Sequence, residues 1–123
     1  MKARILVVED EFLIRLSVTE ALAEAGFVVT DAETADIALP AVQSGSIDLL
    51  VTDIQLPGTM DGVALARAAR LAQPSLPIIY MTGRLIEHPP ATTRDVYIAK
   101  PYAPEEVCVA AKRLLHDASG LSQ

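Results

Sequence analysis

The stretch RILVVEDE, residues 4–11, carries the clearest indication of the fold class. Residues 4–8 form a short, continuous, β-branched apolar run, which is typical of a strand buried on both faces of a parallel sheet. Three acidic residues, Glu9, Asp10 and Glu11, follow directly. Such a strand needs parallel neighbours at its edges and helices on both faces, so the remaining sequence is expected to supply them.

Four further apolar runs predict strands at residues 27–29, 49–51, 77–81 and, more weakly, 96–99. Helical patterns separate these runs or follow them, at residues 14–25, 35–44, 62–73 and 104–116. Gly26 and Pro74 are the expected ends of the first and third helices, whereas Pro40 should bend the second. The alternation of strand and helix therefore extends over nearly the whole chain.

This alternation predicts an α/β fold with a doubly wound, five-stranded parallel sheet of the flavodoxin-like type, strand order 2-1-3-4-5. In such sheets the ligand site lies at the carboxyl ends of the strands. Only residues 84–95 connect the fourth strand to the fifth, and they include Pro89 and Pro90. The fourth helix is therefore predicted to be short or missing.

Composition predicts one domain and excludes several classes of function. The 123 residues are 51% hydrophobic, so we expect a single domain over residues 1–123, frayed after Asp117. A lone cysteine, Cys108, and the lack of a long apolar run near the N-terminus predict a cytoplasmic protein without membrane contact. The formal charge of −6, without a basic cluster, argues against direct binding to nucleic acid.

Carboxylates follow two of the predicted strands. Glu9 and Asp10 come after the first, and Asp53 comes after the third. Acids at a strand end are often helix caps, and Asp10 or Glu11 could serve that purpose. Asp53 precedes a loop rather than a helix, so it has no capping role. Carboxylates that converge need a cation, and a small set of them favours Mg²⁺ over a dedicated Ca²⁺ site.

Two further residues end predicted strands at the same edge of the sheet. Lys100 follows the fifth strand, and its ammonium could neutralise a phosphoryl group that Asp53 accepts as nucleophile. Thr82 ends the fourth strand and could donate a hydroxyl hydrogen bond to that group. Each residue also has a plain alternative, because Lys100 could be a solvated surface lysine and Thr82 part of a local turn. Because Lys100 and Thr82 end strands at the same edge of the sheet as the acids, a functional site is favoured over these alternatives.

Taken in order, these motifs resemble the receiver family of two-component signalling. The matching pieces are ILVVEDE at residues 5–11, VTDIQLP at 51–57, DG at 61–62, MTG at 81–83 and IAKPY at 98–102. The resemblance implies a stand-alone, single-domain receiver. The partner that supplies phosphate would be a sensor histidine kinase or a histidine phosphotransfer protein, with the downstream protein partner left open. It also implies a phosphoacceptor rather than a conventional enzyme.

The resemblance assigns roles to individual residues. Asp53 would be the phosphoacceptor, and Mg²⁺ would lie among Glu9, Asp10, Asp53 and the backbone carbonyl of Gln55. Lys100 would pair with the phosphate. Thr82 and Tyr97 would form the switch, although Tyr97 could equally be an aromatic residue of an edge strand. The Lys100-Pro101 peptide would be cis.

Some features depart from the family pattern, and two rival functions share this architecture. Glu9 stands where Asp is common, and the loop at residues 57–62 looks one residue longer than usual. A haloacid-dehalogenase-like phosphatase also uses a strand-end Asp, but it needs an acid where Gln55 stands. A flavodoxin-like cofactor-binding module needs a Gly/Ser/Thr-rich phosphate loop where Glu9 begins the acidic triplet. The receiver interpretation accounts for more of the residues.

Overall fold

The structure, a computed structural model, describes residues 2–83 and 94–118. The strands in these ranges are β1 (Arg4–Val8), β2 (Val28–Ala32), β3 (Leu49–Asp53), β4 (Ile78–Thr82) and β5 (Asp95–Ala99). The helices are α1 (Phe12–Glu24), α2 (Ala35–Gln43), α3 (Gly62–Ala72) and, after β5, α4 (Pro104–Ala118).

All neighbouring strands are parallel, in the order β2-β1-β3-β4-β5. The predicted fold class and strand order are therefore confirmed. The short or missing helix predicted between β4 and β5 falls mainly on residues 84–93, which lie outside the described residues. Of the tail predicted to begin after Asp117, Ala118 belongs to α4, and residues 119–123 lie outside the described part of the chain.

Two strands extend by more than one residue beyond the apolar runs that predict them. The second strand covers Val28–Ala32 rather than residues 27–29, because Thr30 and Asp31 continue the pairing with β1 despite their polar side chains. The third extends to Asp53, which pairs with Met81 of β4. Hydropathy marks only the apolar part of a strand, whereas backbone hydrogen bonds determine its length.

The sheet separates two apolar cores, because successive side chains of a strand point to opposite faces. On one face, Leu6 and Val8 pack in a cluster with residues of α2 and α3, including Leu65. On the other, Ile5 and Val7 pack with residues of α1 and α4. β1 is therefore buried on both sides, as its uninterrupted apolar run predicts.

This topology determines where a site can form. β1 pairs with β2 on one edge and β3 on the other, so the chain reverses its winding direction between β1 and β3. Val8 pairs with Thr52, which brings the residues that follow, Glu9 and Asp53, side by side at the carboxyl edge. Within the described residues, no helix is both long enough and apolar enough to span a bilayer.

Candidate functional site

The predicted carboxylates meet at the carboxyl edge of β1 and β3. Glu9, Asp10 and Asp53 each place one carboxylate oxygen within 4.8 Å of the others. Glu9 is fully buried and Asp53 is 5% exposed, whereas Asp10 is open to solvent. The three residues form a pocket in which two carboxylates are buried and the third, on Asp10, is exposed to solvent. We call these three residues the acidic pocket.

Glu9 is held by groups on both sides of its carboxylate. Its Oε2 accepts a hydrogen bond of 3.0 Å from the backbone N–H of Glu11, and its Oε1 lies 3.0 Å from Nζ of Lys100. Burial raises the pKa of the Glu9 carboxyl, and the Asp53 charge adds to the rise, although the contacts with Glu11 and Lys100 oppose it. The ionised form of Glu9 therefore depends on nearby positive charge.

Lys100 links the two buried carboxylates. Its Nζ donates a hydrogen bond of 2.7 Å to Asp53 Oδ2, while the backbone N–H of Gln55 donates to Asp53 Oδ1 at 3.1 Å. Burial by itself lowers the pKa of the Lys100 ammonium, but the close contacts with Asp53 and Glu9 and the charges of these two carboxylates outweigh it, so the net shift is upward. Lys100 therefore carries its charge inside the pocket, which rules out the surface-lysine alternative.

The helix-cap alternative also finds no support. Glu11 occupies the N-cap position of α1 but makes no capping hydrogen bond with its side chain. Asp61, by contrast, caps α3 by accepting a hydrogen bond of 2.8 Å from the N–H of Ala64. The Glu11 side chain thus does not perform for α1 the capping role that Asp61 performs for α3.

The comparison with known proteins agrees with this geometry. The sequence matches the family described as Response regulator receiver domain over residues 5–112. The chain belongs to this family. It is a receiver domain of the two-component signalling type.

Relatives and solved structures give the extent of the similarity. The receiver domain is 38% identical over 125 residues to the two-component response regulator PhoP of Pseudomonas aeruginosa, covering 98% of this chain and 55% of that protein. It is 34% identical over 126 residues to the transcriptional regulatory protein ResD of Bacillus subtilis, covering 98% of this chain and 51% of that protein. The chain thus spans about half the length of these regulators.

A crystal structure of a response regulator receiver protein from Sinorhizobium medicae matches with a TM-score of 0.85 at 30% identity, over 94% of this chain and 95% of that one. The receiver domain of the hybrid histidine kinase CckA matches with a TM-score of 0.79 at 30% identity, over 92% and 99%.

Of the two residues predicted to form the switch, Thr82 is bonded to a residue of the pocket and Tyr97 lies on the edge strand. Thr82 ends β4, is buried, and accepts a hydrogen bond of 2.7 Å at its carbonyl from the N–H of Lys100. Tyr97 lies on the edge strand β5, half-buried, and stacks on Tyr80 with 4.9 Å between ring centroids. Tyr80 is a core residue. The Lys100-Pro101 peptide of the receiver domain is cis, as expected.

Two residues that support the pocket were not assigned a role from the sequence. Gly62 begins α3 against the backbone of Asp53, where a Cβ atom would overlap the Asp53 carbonyl oxygen. Arg15 donates a hydrogen bond of 2.8 Å from Nη1 to the backbone carbonyl of Glu9. One signal was available for Arg15, because it is the only Lys or Arg between Arg4 and Arg67.

The donor set of the receiver domain fits a small, hard cation. Three carboxylates offer oxygen atoms only, and one of them, on Asp10, faces solvent, so that water molecules can complete the coordination. Glu9 Oε1 is buried and has no hydrogen-bond partner among the described residues, although Lys100 Nζ forms an ion pair with it at 3.0 Å. The chemistry of these ligands suits Mg²⁺.

Proposed function

We propose that this receiver domain is a phosphoacceptor in which Asp53 takes a phosphoryl group from the phosphohistidine of a sensor histidine kinase or a histidine phosphotransfer protein. The observation that carries the proposal is the contact of 2.7 Å between Lys100 Nζ and Asp53 Oδ2, inside a pocket with two other carboxylates. A nucleophile, a fixed positive charge and a cation-binding donor set are thereby combined.

The proposed transfer is a single displacement at phosphorus. A carboxylate oxygen of Asp53 forms a bond to phosphorus while the P–N bond of the phosphohistidine breaks, and the electron pair of that bond remains on the imidazole nitrogen. The product is an acyl phosphate on Asp53. The N–H of Gln55 orients the attacking carboxylate through Oδ1.

Lys100 supplies the charge that the transferred group requires. Its ammonium already lies against Asp53, so it needs little rearrangement to pair with phosphoryl oxygens. Its raised pKa keeps the ammonium protonated throughout the physiological pH range. We propose that Glu9, Asp10, Asp53 and the backbone carbonyl of Gln55 hold Mg²⁺, which when bound neutralises phosphoryl oxygens.

The output of the proposed reaction passes through Thr82 and Tyr97. Thr82 lies next to the pocket through its bond to Lys100, and Tyr97 lies two residues before the end of β5. A phosphoryl group on Asp53 attracts the Thr82 hydroxyl, and Tyr97 follows, which changes the surface available to a protein partner. The same proposal includes three further points. The domain promotes its own phosphorylation and loses the phosphate slowly. It acts in the cytoplasm, and residues 1–123 act as one receiver unit.

The first prediction is that Asp53→Asn abolishes phosphorylation, because it removes the nucleophile while nearly preserving the shape of the side chain. The purified protein is incubated with Mg²⁺ and an acyl phosphate donor, and the intact mass is measured. We expect one phosphoryl adduct on the parent protein and none on the variant.

Asp61→Asn is the matched control, since it makes the same change at the far end of the loop that follows Asp53 and Asn also caps helices. This control should be labelled like the parent. Full labelling of Asp53→Asn would overturn the proposal. Sustained release of inorganic phosphate without an adduct would favour a phosphatase instead.

A further inference from the structure

The three carboxylates of the acidic pocket are not held equally. Glu9 is fixed by the Glu11 N–H and Lys100, and Asp53 is fixed by Gln55 and Lys100. The side chain of Asp10 is exposed and makes no hydrogen bond or ion pair among the described residues. Because no side-chain contact among the described residues holds it, the direction in which the Asp10 backbone leaves β1 limits where its carboxylate can reach.

The backbone at this point is held by a guanidinium from α1. Arg15 Nη1 donates 2.8 Å to the carbonyl of Glu9, and the Glu9 N–H donates 3.1 Å to the carbonyl of Ala32 at the end of β2. The Glu9 carbonyl and the Asp10 N–H belong to one planar peptide unit. When Arg15 fixes the direction of that carbonyl, it also fixes the direction in which Asp10 leaves the strand.

Arg15 is itself anchored. Its Nε donates 2.9 Å to Asp31 Oδ2 on β2, and its guanidinium lies 5.6 Å from the centre of the Phe12 ring. The side chain is only 14% exposed. Because the planar guanidinium makes two directed hydrogen bonds from different nitrogen atoms, it fixes an angle as well as a distance, which a lysine ammonium cannot do.

We infer that Arg15, anchored by Asp31, is a positioning residue for the metal site, and that it acts by orienting the Glu9-Asp10 peptide so that Asp10 faces the cation. The inference rests on the proposed function, because it assumes that the acidic pocket binds Mg²⁺. It assigns a role to two residues outside the acidic pocket. This role can be distinguished from a purely electrostatic effect, because the two change the affinity for Mg²⁺ in opposite directions when Arg15 is replaced.

Charge and positioning predict opposite results. A positive charge beside a cation site repels Mg²⁺, so if Arg15 acted only through its charge, its removal would tighten Mg²⁺ binding. If Arg15 positions Asp10, its removal weakens binding. Arg15→Lys keeps the charge and loses the two-pronged geometry, whereas Arg15→Met loses both and retains much of the apolar stem.

The experiment is a Mg²⁺ titration of the full chain by calorimetry, with melting in EDTA as the check that each variant folds. We expect both Arg15 variants to raise the Kd for Mg²⁺ by roughly 10-fold, as is common when the partner of a ligating group is removed. Phosphorylation should recover at saturating Mg²⁺. Arg113→Lys, on the exposed face of α4, is the matched control and should leave the Kd unchanged.

A double-mutant comparison tests the anchor. Asp31→Asn should weaken Mg²⁺ binding in the parent protein but have little further effect in Arg15→Met, because the two residues act through one another. An unchanged or lower Kd in folded Arg15→Lys and Arg15→Met would overturn the inference and leave the proposed function intact. No Mg²⁺ binding by the parent protein would overturn the magnesium part of the proposed function and the inference with it.

Discussion

The Lys100 ammonium stabilises the buried carboxylates of the resting pocket and is also the group proposed to pair with a phosphoryl group on Asp53. Lys100 stabilises two buried carboxylates that would otherwise repel each other, Glu9 at 3.0 Å and Asp53 at 2.7 Å. A cation in the acidic pocket would take over part of that task. Lys100 would then be available to a phosphoryl group, so the resting contact and the proposed reactive contact use the same ammonium.

Gly62 is required because the backbone of Asp53 lies directly against it. A Cβ atom at residue 62 would overlap the Asp53 carbonyl oxygen and approach Cα of Ile54, neither of which is a flexible side chain. The N–H of Gly62 also donates 2.8 Å to the carbonyl of Ile54. The start of α3 is thereby held against the end of the strand that bears Asp53.

The second prediction at the residue scale is that Gly62→Ala destabilises the fold. Alanine should favour the helix by up to about 1 kcal/mol, but overpacking against a backbone typically costs roughly 1–3 kcal/mol, so the clash should dominate. Urea unfolding measures the difference. Gly83→Ala, where an added Cβ has no atom of the described residues within 4 Å, is the control and should be nearly neutral. A variant as stable as the parent would show that α3 can shift freely.

At the scale of elements, α3 is tied to the edge of the sheet by a partly buried ion pair. Arg70 of α3 donates 2.6 Å from Nη2 to Asp95 at the start of β5, and 2.7 Å from Nε to the carbonyl of Leu76. The Asp95 side chain is 2% exposed. Removing one partner of such a pair leaves the charge of the other partner buried and unpaired.

Arg70→Leu is therefore expected to lower the free energy of unfolding by about 3 kcal/mol. A second change, Asp95→Asn in the same chain, should recover much of the loss because a neutral amide is cheaper to bury than a charge. Denaturant unfolding of the single and double variants measures both. Arg4→Leu is the matched control, since its pair with Asp48 is exposed and should contribute less than about 1 kcal/mol. Equal losses at the two arginines would contradict the argument.

The loop between β3 and α3 is fastened to a different element. Asp36, in the first turn of α2, accepts hydrogen bonds from the Thr59 hydroxyl at 2.6 Å and from the Thr59 N–H at 3.2 Å. Gly58 has a φ of 99°, a conformation that favours glycine, and a Cβ there would meet Asp36. The longer loop noted in the sequence is thus ordered by α2.

At the scale of the whole molecule, the tyrosines report on packing. The chain has three tyrosines and no tryptophan. Burial is the main cause that raises the pKa of Tyr80 to about 12 and that of Tyr102 to about 12, and it also raises the pKa of Tyr97. Carboxylates add to the rise, Asp95 for Tyr80 and Tyr97, and Glu9 for Tyr102.

A phenol whose pKa is raised in the folded state contributes stability that is fully present below its unfolded pKa, near 10, and is lost as the pH rises towards 12. We therefore expect the free energy of unfolding to fall between pH 10 and 12. Phenolate absorbance should show no tyrosine of the folded protein titrating at the ordinary value, and Tyr80→Phe should remove one of the late titrations. Folded protein whose tyrosines all titrate near pH 10, as they should in denaturant, would contradict the predicted burial.

Much of the fold could be predicted from local sequence. The apolar run of β1, the alternation with helices and the acids at the strand ends are short-range patterns, and they predict the strand order and the place of the site. Strand lengths were predicted less well, since Thr30, Asp31 and Asp53 extend strands by backbone pairing that hydropathy does not register.

Within the site, the sequence by itself determined which chemical groups are available and at which edge of the sheet they lie. Only the tertiary structure decided that Lys100 bridges Asp53 and Glu9, that Arg15 holds the Glu9 carbonyl, and that Tyr80 stacks on Tyr97. Periodicity and strand propensity act over a few neighbouring residues. Directed contacts between side chains depend on the separation and angle of packed elements, which arise only when the two cores close around the sheet.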